Sequence, residues 1–108
     1  MSARVKKYLP LLQFLAEATP SQRAPILSNA SKELILAICE IAMNIVSGRL
    51  PITQPQFKKL VKSKTNIKKI ASRKTPLYVK KKIISQRGGF LPALIASSVP
   101  FLISLFTR

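Results

Sequence analysis

Apolar residues recur at helical spacing along most of this chain of 108 residues, and the spacing predicts a series of short α-helices. The first series advances by steps of three and four residues: Val5, Leu9, Leu12 and Ala16. Ser2 is the candidate N-cap of this helix. Pro10 interrupts the series, so we expect either a kink there or a helix start near Leu11.

A second short helix is predicted from about Pro20 to Ser28. It begins with the run Thr19-Pro20-Ser21-Gln22, which has the form of a capping box with proline at the first helical position. In such a box the first and fourth residues exchange hydrogen bonds between side chain and backbone. Pro25 falls inside the segment and disfavours a regular helix in its middle.

The strongest helical pattern covers residues 32–47, with Ser31 as its N-cap and Gly48 as the residue that ends it. Its polar residues form one narrow stripe: Glu33, Glu40, Asn44 and Ser47. Apolar residues, among them Ile38 and Ile41, cover the rest of the circumference. A helix with so much apolar surface is typical of the buried centre of a bundle.

Further amphipathic segments follow, in which apolar side chains are expected inside and lysines outside. Thr53-Gln54-Pro55-Gln56 offers another capping box, and a break or a bend is expected around residues 64–66. Thr75 is expected to cap the last of these helices, with Pro76 at its first position, and Gly88-Gly89 to end it. The residues expected inside are Phe57, Leu60, Val61, Ile67, Ile70, Ala71, Leu77, Val79, Ile83 and Ile84.

Composition narrows the chemistry that the chain can perform. Lysine and arginine total 19 against three acidic residues, which gives a formal net charge of +16. The chain has no histidine, no aspartate and one cysteine, Cys39, which we expect to be a small buried side chain. Imidazole catalysis, the usual carboxylate pairs and cysteine–histidine metal sites therefore lack their residues. We expect no enzymatic activity, no small-molecule substrate, no cofactor and no metal site.

The positive charge is concentrated in the middle of the chain. Residues 41–108 carry 14 bases and no acidic residue, and twelve of these bases lie within residues 58–87. Self-repulsion at this density disfavours a compact state unless a polyanion neutralises it, and duplex nucleic acid carries about one negative charge per 1.7 Å of axis. The predicted phosphate-binding residues are Lys58, Lys59, Lys62, Lys64, Lys68, Lys69, Arg73, Lys74, Lys80, Lys81, Lys82 and Arg87.

The residue types in this basic segment favour sequence-independent binding to double-stranded DNA. Ten of the twelve bases are lysines. Lysine acts on phosphate as a point charge, whereas bidentate recognition of guanine favours arginine. Aromatic residues for base stacking are sparse, with only Phe57 and Tyr78 nearby.

The C-terminal segment has the opposite character, because residues 90–106 contain no charge. As an α-helix they would extend about 25 Å, slightly less than a bilayer core of about 30 Å. Pro92 suits a first turn and Pro100 would kink the middle. The segment is therefore a last core helix, a membrane-inserting segment or a detachable tail, and it is also a candidate for self-association. The candidate membrane-contacting residues are Phe90, Leu91, Leu94, Ile95, Phe101, Leu102, Ile103, Leu105 and Phe106.

A resemblance to a viral family rests on the junction between these two segments. The run Gln86-Arg87-Gly88-Gly89-Phe90-Leu91-Pro92-Ala93-Leu94-Ile95 follows a lysine-rich stretch. It resembles the C-terminal part of adenoviral protein X, the precursor of the core peptide mu, and of related small basic proteins of adintoviruses and Polinton-like elements. The resemblance covers residues 86–95 in sequence and residues 58–108 in layout. It implies a minor virion core protein packaged with linear double-stranded DNA, and a candidate cleavage junction at Gly88 and Gly89.

These patterns predict an all-α fold, a small bundle of four to six short helices with a basic face and a C-terminal apolar helix. Residues 1–50 form an amphipathic helical half, residues 51–87 a basic helical segment packed on it, and residues 88–108 the Gly-Gly junction and apolar tail. The predicted function is non-enzymatic binding and condensation of DNA, in the virion core and host nucleus if viral, and otherwise inside the cell. The alternative is a membrane-active viral protein whose tail, residues 90–106, inserts while the lysines bind anionic lipid.

Overall fold

Local capping groups set the start of three helices, as their sequences predict. At the helix that begins with Pro20, Thr19 Oγ1 accepts a hydrogen bond from the Gln22 backbone N–H at 3.3 Å, and Gln22 Oε1 accepts one from the Thr19 N–H at 2.9 Å. Thr53 and Gln56 form the same reciprocal pair at 3.4 and 2.8 Å. Ser31 Oγ accepts from the Leu34 N–H at 3.2 Å. Both capping boxes and the Ser31 cap are therefore confirmed.

The computed structural model describes the backbone of residues 3–106 and the side chains of residues 3–104. Within this range the chain forms eight α-helices and one 3₁₀ turn, with no β-strand, so the predicted all-α bundle is confirmed with more helices than the expected four to six. The helices are α1 (Ala3–Lys7), α2 (Leu9–Glu17), α3 (Pro20–Ser28), α4 (Lys32–Val46), α5 (Gln54–Val61), α6 (Lys64–Ala71), α7 (Leu77–Gln86) and α8 (Leu91–Phe106). The 3₁₀ turn, Gly88–Phe90, joins α7 to α8.

Two breaks account for the additional helices. The first segment is divided at Tyr8, and Pro10 lies in the first turn of α2, where its missing N–H costs no helical hydrogen bond. The N-cap predicted at Ser2 lies outside the described residues. In the basic segment the chain breaks at Lys62 and Ser63, slightly before the predicted position, and α6 begins at Lys64.

The start of α7 differs from the prediction. Thr75 does not cap this helix: its N-cap position is Pro76, in an extended conformation (φ −61°, ψ 151°), with no side-chain cap hydrogen bond, and the helix begins at Leu77. The two threonine caps that do form are each followed three residues later by a glutamine. Tyr78 occupies that position after Thr75 and offers no amide to return the bond.

The core surrounds α4, as its apolar circumference predicts. Seven residues of this helix are buried: Leu34, Ile35, Ala37, Ile38, Cys39, Ile41 and Ala42. Helices α1, α6, α7 and α8 pack around it, and the most extensive contact between two helices joins α2 to α8. Gly48 lies just after the C-terminus of α4 and has a φ of +80°, a conformation that favours glycine.

The inward face predicted for α5 is covered only in part. Leu60 is buried, but Phe57 is 52% exposed and Val61 is 44% exposed, so the prediction that these two residues lie inside is wrong. With Val46 and Ile52 they line an open apolar groove, because no other described element covers that side of α5. Leu77, also predicted inside, is 36% exposed.

Candidate nucleic-acid interface

The twelve predicted phosphate-binding residues lie on α5, α6, α7 and the residues that follow each helix, and none is buried. Ten are exposed, while Lys80 and Lys81 are half-buried. Five of the apolar residues that alternate with them are buried in the core: Leu60, Ile67, Ile70, Ile83 and Ile84. The amphipathic pattern of the basic segment therefore orients its charges toward solvent.

Three of these lysines share a cleft with three hydroxyl side chains. The α6 cleft is a surface cavity of about 490 Å³ that is lined by Lys64, Thr65, Lys68, Lys69, Ser72 and Thr75. Ser72 holds the loop at the C-terminal end of α6. The Ser72 Oγ accepts a hydrogen bond from the Lys74 N–H at 3.2 Å, and the Ser72 carbonyl accepts one from the Thr75 N–H at 3.4 Å. The loop after α6 thus folds back, and Thr75 lines the same cleft as the helix.

Two other predicted bases line a second cleft, of about 300 Å³, beside α4. Arg73 and Lys80 meet Arg4 of α1 there, together with Glu40 and Cys39. Arg4 lies far from the basic segment in sequence, so the charge pattern does not predict that it shares a cleft with Arg73 and Lys80. The carboxylate in this second cleft makes it less suited to an anion than the α6 cleft, whose lining contains no acidic residue.

An exposed ion pair already engages Arg4. Its Nε–H donates to Oε2 of Glu33 at 2.9 Å. This hydrogen bond lowers the pKa of Glu33 and raises the pKa of Arg4. The charge of Arg4 is therefore partly compensated within the protein, and the highest density of positive charge belongs to the basic segment.

Cys39 is buried on α4, as predicted, at 5% exposure. Burial raises the pKa of its thiol to about 11, and the positive charge of Lys80 opposes that rise without cancelling it. A thiol with such a pKa carries very little of the reactive thiolate at neutral pH. The side chain therefore serves the core as a small apolar group.

This environment predicts slow chemical modification of Cys39. At neutral pH, we expect its reaction with a disulfide reagent to be at least about 100-fold slower in the folded protein than in concentrated guanidinium chloride, because the thiolate fraction falls about tenfold for each unit by which the pKa rises. The chain has one cysteine, so the chromophore that the disulfide reagent releases on reaction measures the modification of Cys39 alone. Equal rates in both conditions would show that α4 is not the centre of the core.

The apolar tail is part of the bundle. Five of the nine candidate membrane-contacting residues are buried in the core: Phe90, Leu91, Leu94, Ile95 and Leu102. Phe101 and Ile103 are 38% and 37% exposed, and the side chains of Leu105 and Phe106 lie outside the described residues. The tail thus occupies the position of a last core helix, packed mainly on α2 and also on α4 and α5.

The polar atoms of α8 fit this buried position. The hydroxyl of Ser98, fully buried, donates to the Ile95 carbonyl at 2.8 Å, and that of Ser97 donates to the Ala93 carbonyl at 2.6 Å. Both hydroxyls therefore have partners within their own helix. Pro100, which removes a helical hydrogen bond, lies on the exposed side.

Within residues 3–104, no single helix is both long enough and apolar enough to cross a membrane. Helix α7 and residues 88–104 together have the length and composition of a membrane span, but the chain bends by 70° between them.

The candidate cleavage junction lies in the turn between α7 and α8. Gly88 is half-buried, and a Cβ atom added to it would approach Leu91 Cδ1 to 3.2 Å. Gly89 is exposed and has open space around its Cα. The first glycine therefore permits close packing of the turn against α8, while the second is accessible from solvent.

The sequence interpretation missed the three hydroxyl residues of the α6 cleft and Arg4 of the second cleft. Thr65 and Ser72 follow the helical spacing of the lysines, so a search for hydroxyls at that spacing finds them, whereas Thr75 depends on the folded loop. Comparison of the chain with protein-family models, with curated proteins and with solved structures gives no match.

Proposed function

We propose that this protein binds double-stranded DNA through contacts with the phosphate backbone, without dependence on base sequence, and condenses it. The observation that carries the proposal is the exposure of the basic segment: none of its twelve bases is buried, and no acidic side chain follows Glu40 in the chain. The three glutamates can neutralise at most three of 19 bases. The remaining positive charge favours binding to an external polyanion, and the density of negative charge along duplex DNA suits it.

Independence from base sequence follows from the residue types on this surface. Its cations are mostly lysines, and among the side chains that the structure describes, the exposed aromatic ones near them are Tyr78, at 76% exposure, and Phe57. Lysine positions itself on phosphates without discriminating among bases. Binding of many such molecules to one duplex neutralises its backbone, which is the physical requirement for condensation. The resemblance at residues 86–95 suggests the core of a DNA-containing virion as the setting for this function.

The first test of the proposal is the salt dependence of DNA binding, measured by fluorescence anisotropy with a short labelled duplex. For about 6–10 phosphate contacts, we expect affinity to fall roughly 10³- to 10⁵-fold between about 50 and about 200 mM salt. A duplex of the same length and scrambled sequence should bind with nearly equal affinity at each salt concentration.

Two results would contradict the proposal. A strong preference for one duplex sequence at fixed salt would mean that base edges, and not phosphates, determine binding. A shallow salt dependence would mean that few phosphates are neutralised. Vesicles of anionic lipid, tested in parallel, show whether the same surface prefers a lipid headgroup to DNA.

A further inference from the structure

We infer that the α6 cleft is the principal phosphodiester-binding site of the protein, in which ammonium and hydroxyl groups together hold the DNA backbone. The inference rests on the proposed DNA binding and goes further in two respects. It separates Lys64, Lys68 and Lys69 from the nine other exposed or half-exposed bases of the segment. It also gives a binding role to three uncharged residues, Thr65, Ser72 and Thr75.

The helical register of α6 brings five of the six lining residues together. With 3.6 residues per turn, positions 64, 65, 68, 69 and 72 lie within an arc of about 140° and over about 12 Å of the helix axis. Ile67 and Ile70, on the opposite side, are buried, and α6 packs on α4. The core contacts thus fix the rotation of α6 and hold the lysine side toward solvent. Thr75, brought back by the Ser72 hydrogen bonds, completes the lining.

The donor set of the cleft matches a phosphodiester group. A phosphodiester has a full negative charge shared by two oxygen atoms and can accept several hydrogen bonds at once. The cleft presents ammonium groups, which donate strongly in any direction, and hydroxyl groups, which are among the common phosphate contacts in DNA complexes. The Ser72 hydroxyl oxygen already accepts from the Lys74 N–H, so its own hydrogen remains free to donate.

No carboxylate competes for these donors. The six lining residues include no acidic side chain, in contrast to the second cleft, where Glu40 lies beside Arg73 and Lys80. The length of the cleft along α6, about 12 Å, exceeds the rise of about 3.4 Å along the duplex axis that separates successive phosphates of one strand. The cleft can therefore engage more than one phosphate of a strand.

The test compares two variants that remove the same charge from exposed neighbouring lysines. In the cleft variant Lys68 and Lys69 are replaced by glutamine, and in the matched control Lys58 and Lys59 of α5 are replaced by glutamine. All four residues are exposed, and glutamine retains good helix propensity, so both variants should fold with unchanged circular dichroism and unfolding free energy. Affinity for one short duplex is measured at several salt concentrations.

We expect the cleft variant to lose about tenfold or more in affinity, and the control variant to lose several times less, because the cleft lysines hold phosphate together with hydroxyl donors, whereas Lys58 and Lys59 have no such partners in the cleft. A third variant, Thr65→Val with Thr75→Val, changes no charge. It should weaken binding about three- to tenfold and leave the salt slope unchanged, since no counterion release is lost.

The outcomes separate the inference from the proposed function. Equal losses in the cleft and control variants, or an unaffected threonine variant, would overturn the cleft as the principal site while leaving DNA binding by the whole basic segment in place. Wild-type protein that shows no salt-dependent binding to the duplex would overturn the proposed function itself, and the cleft with it.

Discussion

Replacement of Ile38 by alanine is expected to lower the free energy of unfolding by about 2–5 kcal/mol. The side chain has no solvent exposure and belongs to the face of α4 that the other helices enclose. Its loss removes buried apolar surface and leaves a cavity that a close-packed core fills only in part. Equilibrium unfolding in guanidinium chloride, followed by circular dichroism, measures the change.

Lys58→Ala is the matched control for this substitution. Lys58 is exposed on α5, and lysine and alanine are both good helix formers, so its unfolding free energy should change by less than about 0.5 kcal/mol. The pair of variants thus separates the core from the charged surface. Equally small changes in both would mean that α4 is not buried in a bundle.

The features that sequence predicts correctly are those decided within one turn of helix. Thr19 and Thr53 each find a glutamine three residues later, so their capping boxes need no help from the tertiary structure. The apolar circumference of α4 likewise predicts a buried helix, because any bundle must cover so much apolar surface. Thr75 shows the limit of the threonine–proline signal: without a polar partner at the fourth position, the helix starts without a side-chain cap.

Features that depend on distant segments could not be predicted in the same way. Helical spacing places Phe57 on the apolar side of α5, but whether a partner covers that side depends on the path of the whole chain, and here the residue stays half-exposed. The α6 cleft shows both cases. Its lysines follow from helical register, whereas the position of Thr75 depends on hydrogen bonds within the loop after α6.

Sequence alone allows three roles for the apolar tail, and its burial in the bundle favours one of them. Composition cannot distinguish a core helix from a membrane segment of similar length, since both exclude charge. The distinction lies in α2: its buried residues Leu12 and Leu15 need an apolar partner, and α8 packs against this helix. Insertion of α8 into a bilayer would uncover this side of α2 and the buried side of α8 together.

Deletion of residues 90–108 is therefore expected to unfold the domain. Four aliphatic side chains of α8 are fully buried, at about 1.5–3 kcal/mol each: Leu91, Leu94, Ile95 and Leu102. Their combined loss, about 6–12 kcal/mol, is comparable to the whole stability of a typical small domain, about 5–15 kcal/mol. The truncated chain should lose cooperative thermal unfolding and aggregate through the apolar surface that it exposes, which circular dichroism and size-exclusion chromatography would detect.

A point variant and a vesicle assay keep this prediction decisive if the truncated chain cannot be purified. Leu94→Ala should lower the free energy of unfolding by about 2–5 kcal/mol if α8 is a core helix, and should leave it unchanged if the tail is free to insert into a membrane. High salt screens the attraction between lysines and anionic headgroups, so vesicle binding that persists there depends on apolar insertion. Full-length protein that floats with vesicles in high salt, together with a truncated chain that is soluble, helical and binds DNA with full affinity, would establish the membrane role and refute the core helix.

Deletion removes only Arg108 from the 19 bases, so charge loss cannot account for a change in DNA binding. Any loss of DNA affinity on truncation must then arise from loss of the fold that holds α6 in place.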